Sequence, residues 1–374
     1  MKILLIQPPV EDFYDTDIRL QPIGLSYLKA ALDKYVPGQQ VVIRDYHTGH
    51  GRQTVRMPNE LEYLKAYYPV ADKSPFSGFH QYYHFGMPFA DIEQDIADLK
   101  PDIVGISALF TAYFREALEV ADRVKRQLKV PVILGGSHVS AAPRSVLSHP
   151  SVDYIIRGEG ERPLVELIAN LQGRRAIEQV SNLGYKRGTA MVFNAVQDNY
   201  AIDDIPAADL SELPLTKYTL GAKPLAFMIT SRSCPHKCTF CSVHTTFGKT
   251  YRRRGVDNVL EEIRERYRQG YRVIDFEDDN LTFYQQEFKQ LCRSLIKEYP
   301  NRELELVAMN GISYLSLDDE LLQLMWRAGF SQLNLALVSS DKTVRNTTKR
   351  PHTLERYVNV VHKAHELGLG IVSY

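Results

Sequence analysis

The chain has 374 residues, of which 44% are hydrophobic and 24% charged, and its 45 basic residues balance 45 acidic ones. This length allows two domains with separate cores, and zero net charge removes the simplest argument for a nucleic-acid or membrane-surface partner. The N-terminal apolar run is too short for a secretory signal, and no run approaches the length of a membrane span. We therefore expect a cytoplasmic protein with no membrane span and no nucleic-acid partner.

The first part of the chain alternates short β-branched runs with helix-period stretches. Strands are predicted at residues 3–7, 41–45, 103–107, 132–135 and 154–157, and helices at residues 23–35, 90–99, 114–127 and 163–171. Nearly uninterrupted apolar strands that alternate with helices indicate a parallel sheet covered on both faces. Residues 1–173 are therefore predicted to form a flavodoxin-like (Rossmann-type), doubly wound α/β domain.

Two stretches interrupt this alternation. Residues 48–88 contain His, Tyr, Pro and Gly without a clear period and are too long for an ordinary connection. We expect a lid or a flexible insert there, at the carboxyl edge of the sheet. Residues 174–222 predict a hairpin at residues 183–193, followed by an acidic, proline-punctuated linker.

From residue 223 onward the alternation of strands and helices resumes. Strands are predicted at residues 226–230, 273–276, 305–308, 333–337 and 370–373, and helices at residues 256–269, 285–297, 318–327 and 354–367. This is the repeat of a parallel β/α barrel. Because the sequence stops inside or just after a fifth strand, we expect residues 223–374 to form a partial barrel that is truncated at its C-terminus.

Cysteine is concentrated at one place in the chain. Three of the four cysteines have the spacing C-x3-C-x2-C directly after an apolar run, namely Cys234, Cys238 and Cys241. Such clustering indicates a metal or cluster site and not disulfides. Three thiolates on a short loop suit an iron–sulfur cluster with one iron left open, and the alternative is a Cys3His zinc site completed by His236 or His244. The fourth, Cys292, lies on the apolar face of a predicted helix and is interpreted as a small buried hydrophobe.

This loop resembles the signature of the radical S-adenosylmethionine (SAM) superfamily, C-x3-C-x-(aromatic)-C after the first strand of a β/α barrel, with Phe240 as the aromatic. The flanking residues 230–235 and 251–254 resemble the branch with N-terminal cobalamin-binding domains, in which Gly commonly precedes the first Cys; here the residue is Ser233. The resemblance implies a [4Fe–4S] cluster on the three cysteines. It also implies that SAM chelates the fourth iron and is cleaved by one electron to a 5′-deoxyadenosyl radical.

An acidic stretch, Glu277-Asp278-Asp279-Asn280, ends the second predicted barrel strand. It would serve as a turn and helix cap, but like charges this close also favour a nearby cation, and SAM carries an ammonium and a sulfonium. By resemblance, SAM contacts are expected from Phe240, Asp278, Asp279, Asn310 and Ser339. Relatives commonly read Gly-Ile-Glu-Ser after the fourth strand, whereas residues 336–339 of this chain read Ala-Leu-Val-Ser and lack the Glu.

The N-terminal domain resembles the cobalamin-binding domains of this branch. The resemblance implies cobalamin contacts from Gln7, Pro8, Ser107, Leu109, Gly135, Gly136, Gly158, Glu159 and Gly160. The Asp-x-His-x-x-Gly motif that supplies an axial histidine is absent after the first strand. Asp45-Tyr46-His47 has only its first half, because position 50 is His. His47 is therefore predicted to be a polar loop residue, and the cobalamin to be base-off without a histidine from this motif. The alternative is a domain that keeps the fold and binds nothing.

The resemblance implies a cobalamin-dependent radical SAM enzyme, with methyl transfer to an unactivated carbon of a small-molecule or peptide substrate as the leading expectation. Ring closure, oxidation and rearrangement with the same cofactors are alternatives, as is a non-catalytic iron–sulfur or zinc protein. An electron donor of the flavodoxin or ferredoxin type is the expected partner. No residue of the chemical step itself is assigned.

Overall fold

The structure is a computed structural model that describes residues 1–14, 16, 21–67, 81–198, 200–350 and 353–374. The chain divides into two compact units. The first contains Met1–Gln197 and Asp209–Leu213, and the second contains Asp198–Ala208 and Pro214–Tyr374. The segment predicted as hairpin and linker is thus shared between the two units.

The described residues of the first unit form ten strands and six helices. In chain order these are β1 (Lys2–Gln7), β2 (Val10–Asp12), α1 (Ile23–Tyr35), β3 (Gln40–Asp45), β4 (Arg52–Val55), β5 (Tyr82–Phe85), α2 (Phe89–Leu99), β6 (Ile103–Ser107), α3 (Phe114–Gln127), β7 (Val132–Gly135), α4 (Ser137–Ala141), α5 (Pro143–Ser148), β8 (Tyr154–Ile156), α6 (Glu161–Leu171), β9 (Leu183–Arg187) and β10 (Ala190–Phe193).

The main sheet of this unit has the order β10-β9-β8-β7-β6-β1-β3. Strands β3, β1, β6, β7 and β8 are parallel, and their order is that of flavodoxin-like folds. The predicted doubly wound α/β fold is therefore confirmed. The predicted hairpin, β9 and β10, extends the sheet antiparallel to β8. The strand order reverses between β1 and β6, and ligands of such sheets bind beside the carboxyl ends of the strands at this point.

The parallel strands are apolar along nearly their whole length because helices cover both faces of the sheet. Leu4 and Ile6 of β1 pack with Val104 and Ile106 of β6, and Val120 of α3 belongs to the same cluster. All five side chains are buried. This packing holds the strand ends in register and so places the loops that follow them at one edge.

The described part of the insert is more regular than the sequence suggests. Strands β2, β5 and β4 form a separate antiparallel sheet, and β5 is buried throughout. Residues 68–80 of the predicted insert lie outside the described residues. His47 lies in the bend after β3, in agreement with the predicted loop position, but its burial was not expected. Its side chain is fully buried, and its Nδ1 lies 3.2 Å from the carbonyl oxygen of Phe85, because β5 folds back over it.

The described residues of the second unit form eight strands and six helices. They are β11 (Thr219–Leu220), β12 (Lys223–Met228), β13 (Ser231–Arg232), α7 (Val243–Phe247), β14 (Arg252–Arg253), α8 (Val256–Arg268), β15 (Val273–Phe276), α9 (Gln285–Glu298), β16 (Glu305–Val307), α10 (Asp319–Ala328), β17 (Gln332–Leu335), α11 (Lys342–Thr347), α12 (Leu354–Glu366) and β18 (Gly370–Ser373).

Five of these strands make the predicted partial β/α barrel. Strands β12, β15 and β16 pair in parallel, and so do β17 and β18. Parallel bridges from Leu306 to Phe330 and from Ile312 to Leu335 connect the two sets. Because the strands are parallel, the segments that follow β12, β15, β16 and β17 all emerge at the carboxyl end of the barrel, where this architecture carries its chemistry. In the described part of the chain, no helix combines the length and apolarity needed to cross a membrane.

Candidate functional site

The three clustered cysteines lie on the loop between β13 and α7. The base of this loop is closed by the pairing of β13 with β14, in which Ser231 faces Arg253 and Arg232 faces Arg252. All three cysteines are free thiols; Cys234 and Cys238 are half-buried, and Cys241 is exposed. The backbone N–H of Cys241 donates to the carbonyl oxygen of Cys238 at 3.2 Å, so the C-x2-C segment is a tight turn. The loop therefore presents thiols from a short, closed stretch of backbone.

The two histidines of the zinc alternative make contacts of their own. His244 donates from Nε2 to the carbonyl oxygen of Cys234 at 2.6 Å, and the ring of His236 packs edge-on against Phe283. Within the described ranges, no three or more Cys, His, Asp or Glu side chains are grouped so as to hold a single metal ion. A cuboidal cluster imposes a different requirement. Each cysteine binds a different iron, so the cysteine sulfurs lie further apart than the ligands of a single metal ion.

Side-chain N–H donors point at two of the cysteine sulfurs. Asn280 donates from Nδ2 to Sγ of Cys234 at 3.4 Å, and Arg350 donates from Nε to Sγ of Cys238 at 3.3 Å. Burial raises the pKa of the Cys234 thiol. Sequence reasoning missed Arg350, because a basic residue before a proline gives no signal of its own. N–H groups directed at sulfur are a feature of iron–sulfur ligation that lowers the energy of the thiolate form.

Ser233 adopts a backbone conformation that explains why relatives commonly have glycine there. Its φ is +72°, in the left-handed region. Its backbone N–H donates to Oδ2 of Asp279 at 3.1 Å, and its Oγ donates to the carbonyl oxygen of Gly248 at 2.8 Å. The chain must turn sharply here to bring Cys234 out of the barrel, and the two hydrogen bonds hold the serine in a conformation that glycine adopts without strain.

A pair of substitutions at this position tests the argument. In Ser233→Gly, relief of a left-handed conformation that costs roughly 1 kcal/mol offsets the loss of a hydrogen bond worth about 1 kcal/mol. The free energy of unfolding should therefore change by less than about 1 kcal/mol. Ser233→Val loses the bond and adds a β-branched side chain, so it should lower the free energy of unfolding by about 2 kcal/mol or more. Denaturant unfolding measures both, and equal stability of the two variants would contradict the assignment.

Asp278, one of the expected SAM contacts, is a buried side chain held by hydrogen bonds. Its side chain is 1% exposed. Oδ1 accepts hydrogen bonds from the hydroxyls of Thr230 (2.8 Å) and Ser231, and Oδ2 accepts from the N–H of Thr230 at 3.1 Å. Burial raises its pKa although these bonds act in the opposite direction. With both oxygens engaged in hydrogen bonds, Asp278 anchors the segment that leads into the cysteine loop.

The neighbouring acidic groups are more accessible. Asp279 and Glu277 are half-buried. Burial, followed by the charge of Asp278, raises the pKa of Asp279 to about 6. Burial and the charges of Asp275 and Asp278 also raise the pKa of Glu277. Such carboxyls ionise more readily when a cation lies beside them, so these two residues suit a ligand that carries an ammonium.

Three further predicted SAM contacts lie at the carboxyl end of the barrel. Asn310, after β16, is exposed and donates from Nδ2 to the carbonyl oxygen of Asp278 at 3.5 Å. Ser339, after β17, is half-buried, and its Oγ accepts from the N–H of Asp341 at 3.1 Å. Phe240 is exposed on the cysteine loop. One hydrogen bond thus joins Asn310 to the acidic stretch, whereas the hydroxyl of Ser339 bonds within its own turn.

The residues expected to contact cobalamin follow four adjacent parallel strands of the first unit. Gln7 and Pro8 end β1, Ser107 and Leu109 end β6, Gly135 and Gly136 end β7, and residues 158–160 follow β8. The strand order therefore brings them to one edge of the sheet. They differ in accessibility: Gln7, Pro8 and Glu159 are buried, whereas Leu109 is exposed.

Two glycines at this edge of the sheet allow neighbouring loops to approach each other closely. Gly136 has a φ of +114°, and a Cβ there would lie 2.6 Å from the carbonyl oxygen of Ala108. Gly158 has a φ of +72°, and its N–H donates to Oγ of Ser140 at 2.7 Å. The two glycines let the loops after β6, β7 and β8 pack tightly, so their immediate role is structural.

A buried polar cluster near the same strand ends was not predicted. His84 on β5 places one ring nitrogen 3.0 Å from a carboxylate oxygen of Glu11 and the other 3.0 Å from the carbonyl oxygen of Met87. Both partners are acceptors. Burial lowers the pKa of His84, but the hydrogen bonds to Glu11 and Met87 and the charges of Glu11 and Glu116 together outweigh burial, so the pKa is raised. Glu116 on α3 is 4% exposed, and its Oε2 has no hydrogen-bond partner among the described residues.

This unpartnered carboxyl predicts a pH dependence of stability. Burial raises the pKa of Glu116 from 4.5 to about 7. The contribution of this group to the free energy of unfolding is therefore fully present below pH 4.5 and is lost as the pH rises through about 7. Because one pKa unit corresponds to about 1.4 kcal/mol, the loss is on the order of 3 kcal/mol. Glu116→Gln should remove this decline. Denaturant titrations across this pH range measure it, with exposed Glu60→Gln as control; parallel curves for wild type and Glu116→Gln would contradict the prediction.

The chain resembles known proteins along its whole length. The family model described as the B12 binding domain matches residues 72–168, and that of the radical SAM superfamily matches residues 228–374. Cytidylyl-2-hydroxyethylphosphonate methyltransferase from Streptomyces wedmorensis is 25% identical over 416 residues, covering 100% of this chain and 72% of that protein.

Solved structures show the same fold. The radical SAM methyltransferase TsrM from Kitasatospora setae superposes with a TM-score of 0.72 at 17% identity, covering 100% of this chain and 67% of that one. The cobalamin-dependent radical SAM enzyme OxsB gives a TM-score of 0.72 at 17% identity, with 100% and 48% covered. The two domain matches and the relative that spans the whole chain show that the chain belongs to the radical SAM enzymes that carry a cobalamin-binding domain.

Proposed function

We propose that this chain transfers a methyl group from SAM to an unactivated carbon of a small-molecule or peptide substrate, using a [4Fe–4S] cluster and cobalamin. The cysteine loop carries the proposal. Its three free thiols lie at the carboxyl end of the barrel, with N–H donors directed at two of the sulfurs. When bound, the three cofactors supply an electron, a carbon-centred radical and an activated methyl group.

The donor set at the loop fits a four-iron cluster. Cys234, Cys238 and Cys241 would hold three irons, and the fourth would remain open for the amino and carboxylate groups of SAM. Sulfur is the ligand that iron–sulfur clusters require, and His244 is engaged with the backbone of Cys234. The half-buried carboxyls of Glu277 and Asp279 would accept hydrogen bonds from the amino group of SAM, with polar contacts from Asn310 and Ser339.

In the first unit, the strand-end residues from Gln7 to Gly160 would hold cobalamin at the carboxyl edge of the sheet. Gly136 and Gly158 allow the loops to lie flat against a broad ligand. Since the first strand is followed by Pro8 and Pro9 without a histidine, we propose base-off binding without an axial histidine from that loop. An electron donor of the flavodoxin or ferredoxin type would reduce the cluster.

The experiment is a product analysis. The protein is reconstituted anaerobically with iron, sulfide and cobalamin, reduced, and incubated with SAM and candidate substrates. S-adenosylhomocysteine formed together with 5′-deoxyadenosine supports methyl transfer. Formation of 5′-deoxyadenosine without S-adenosylhomocysteine would contradict methyl transfer and would indicate another radical reaction, such as ring closure or oxidation. Stoichiometric zinc without iron would overturn the enzyme assignment altogether.

A further inference from the structure

Arg350 contacts the cysteine loop from another part of the second unit. Its Nε donates to Sγ of Cys238 at 3.3 Å, and its Nη1 donates to the carbonyl oxygen of Ala336 at 2.9 Å. Its backbone N–H donates to the carbonyl oxygen of Arg345 at 2.7 Å. The guanidinium therefore bridges a cysteine sulfur and the residue that directly follows β17.

The position of this side chain is fixed by a second set of contacts. The N–H of Thr239, next to Cys238, donates to the carbonyl oxygen of Thr348 at 3.3 Å. Arg345, which is buried, donates from Nη1 to the carbonyl oxygens of Ser339 (3.1 Å) and Ser340. The segment from Ser339 to Arg350 is thus tied at one end to the β17 loop and at the other to the cysteine loop.

The charge of Arg350 distinguishes it from Asn280, the side chain that donates an N–H to the sulfur of Cys234. Asn280 offers a neutral N–H to Cys234, whereas a guanidinium is always protonated. A cluster held by three thiolates is anionic, and reduction adds one more negative charge. Hydrogen bonds to sulfur and nearby charge both set the reduction potential of such clusters, and a cationic donor forms the stronger bond. A cation fixed on one sulfur therefore stabilises the reduced state more than the oxidised one.

We infer that Arg350 is a positioning residue that raises the reduction potential of the cluster through its N–H bond to Cys238, and so favours electron transfer to this site. The inference rests on the proposed function, because it requires the cluster. Under this inference, the segment after α11 tunes the reduction potential of the cluster, a role distinct from those of the cysteine motif and the acidic stretch.

The test compares three variants of the full chain, each reconstituted anaerobically and titrated with dithionite while the reduced cluster is followed by electron paramagnetic resonance. Arg350→Gln removes the charge, Arg350→Lys keeps the charge but not the fork of donors, and Lys349→Gln removes an exposed neighbouring charge. For Arg350→Gln we expect a more negative midpoint potential, by on the order of 59 mV, which is a tenfold change in the reduced-to-oxidised ratio. Arg350→Lys should shift less, and Lys349→Gln should match the wild type.

A purely structural role would give another result. Iron content would fall in Arg350→Gln and Arg350→Lys, but the potential of the remaining cluster would equal that of the wild type, and the inference would be overturned. If Arg350→Gln does not fold, an unshifted potential in Arg350→Lys overturns it as well. Failure of the wild type itself to take up iron would refute the proposed function, which is a distinct outcome.

Discussion

Cys238→Ala is expected to abolish SAM cleavage completely. Cys238 is one of three thiols on the cysteine loop, and its Sγ also receives the N–H of Arg350. Loss of this sulfur leaves two protein ligands for a cluster that needs three, and it leaves the guanidinium without its acceptor. The measurements are iron and sulfide content after anaerobic reconstitution, the visible spectrum of the cluster, and 5′-deoxyadenosine formed from SAM.

Cys292→Ala is the matched control for this experiment. Cys292 lies on α9, is 0% exposed, and has its thiol pKa raised to about 12 by burial. Its replacement deletes one buried sulfur from the core, which should cost about 1 kcal/mol of stability, and should leave the iron content unchanged. Cleavage of SAM by Cys238→Ala at the wild-type rate would refute the cluster assignment, and loss of iron from Cys292→Ala would place the fourth cysteine in the site.

Asp278→Asn is expected to destabilise the second unit and to lower its iron content. The buried carboxylate accepts from both hydroxyls of Thr230 and Ser231 and from the N–H of Thr230. An amide replaces one acceptor oxygen by a donor that faces other donors. A buried group left unsatisfied costs about 1–3 kcal/mol, and Thr230 and Ser231 lead directly into the cysteine loop. Chemical unfolding and iron analysis are the two readouts.

Asp279→Asn separates support of the loop from binding of SAM. Asp279 is half-buried, and its Oδ2 accepts a hydrogen bond from the backbone N–H of Ser233. Its replacement should reduce stability less than Asp278→Asn but weaken SAM binding more, as measured by calorimetry on the reconstituted protein. The reverse result, normal stability with weak SAM binding in Asp278→Asn, would restore Asp278 as the direct contact.

Local patterns predicted most of the fold. The five parallel strands of the first unit and the five of the barrel are short apolar runs between helix-period stretches, and such runs are recognisable without knowledge of their neighbours. The structure of the insert at residues 48–88 was harder to predict. Strand β5 pairs on one side with β4 and on the other with β2, which lies far away in the sequence, and an antiparallel pairing of that separation leaves no periodic trace in either strand. The burial of His47 was not predicted for the same reason, because it comes from the contact with β5.

The cysteine loop shows both what the sequence determines and what only the tertiary structure decides. Its spacing by itself determined a three-thiolate loop, because ligands that wrap one cluster must be close in sequence when a single loop supplies them. What surrounds the sulfurs was decided by the tertiary structure. Arg350 and Asn280 approach from segments after β17 and β15, and Asp278 is turned inward to hold Thr230 and Ser231. These contacts exist because parallel strands deliver distant parts of the chain to the same end of the barrel, and that convergence is a property of strand order, which residue spacing does not encode.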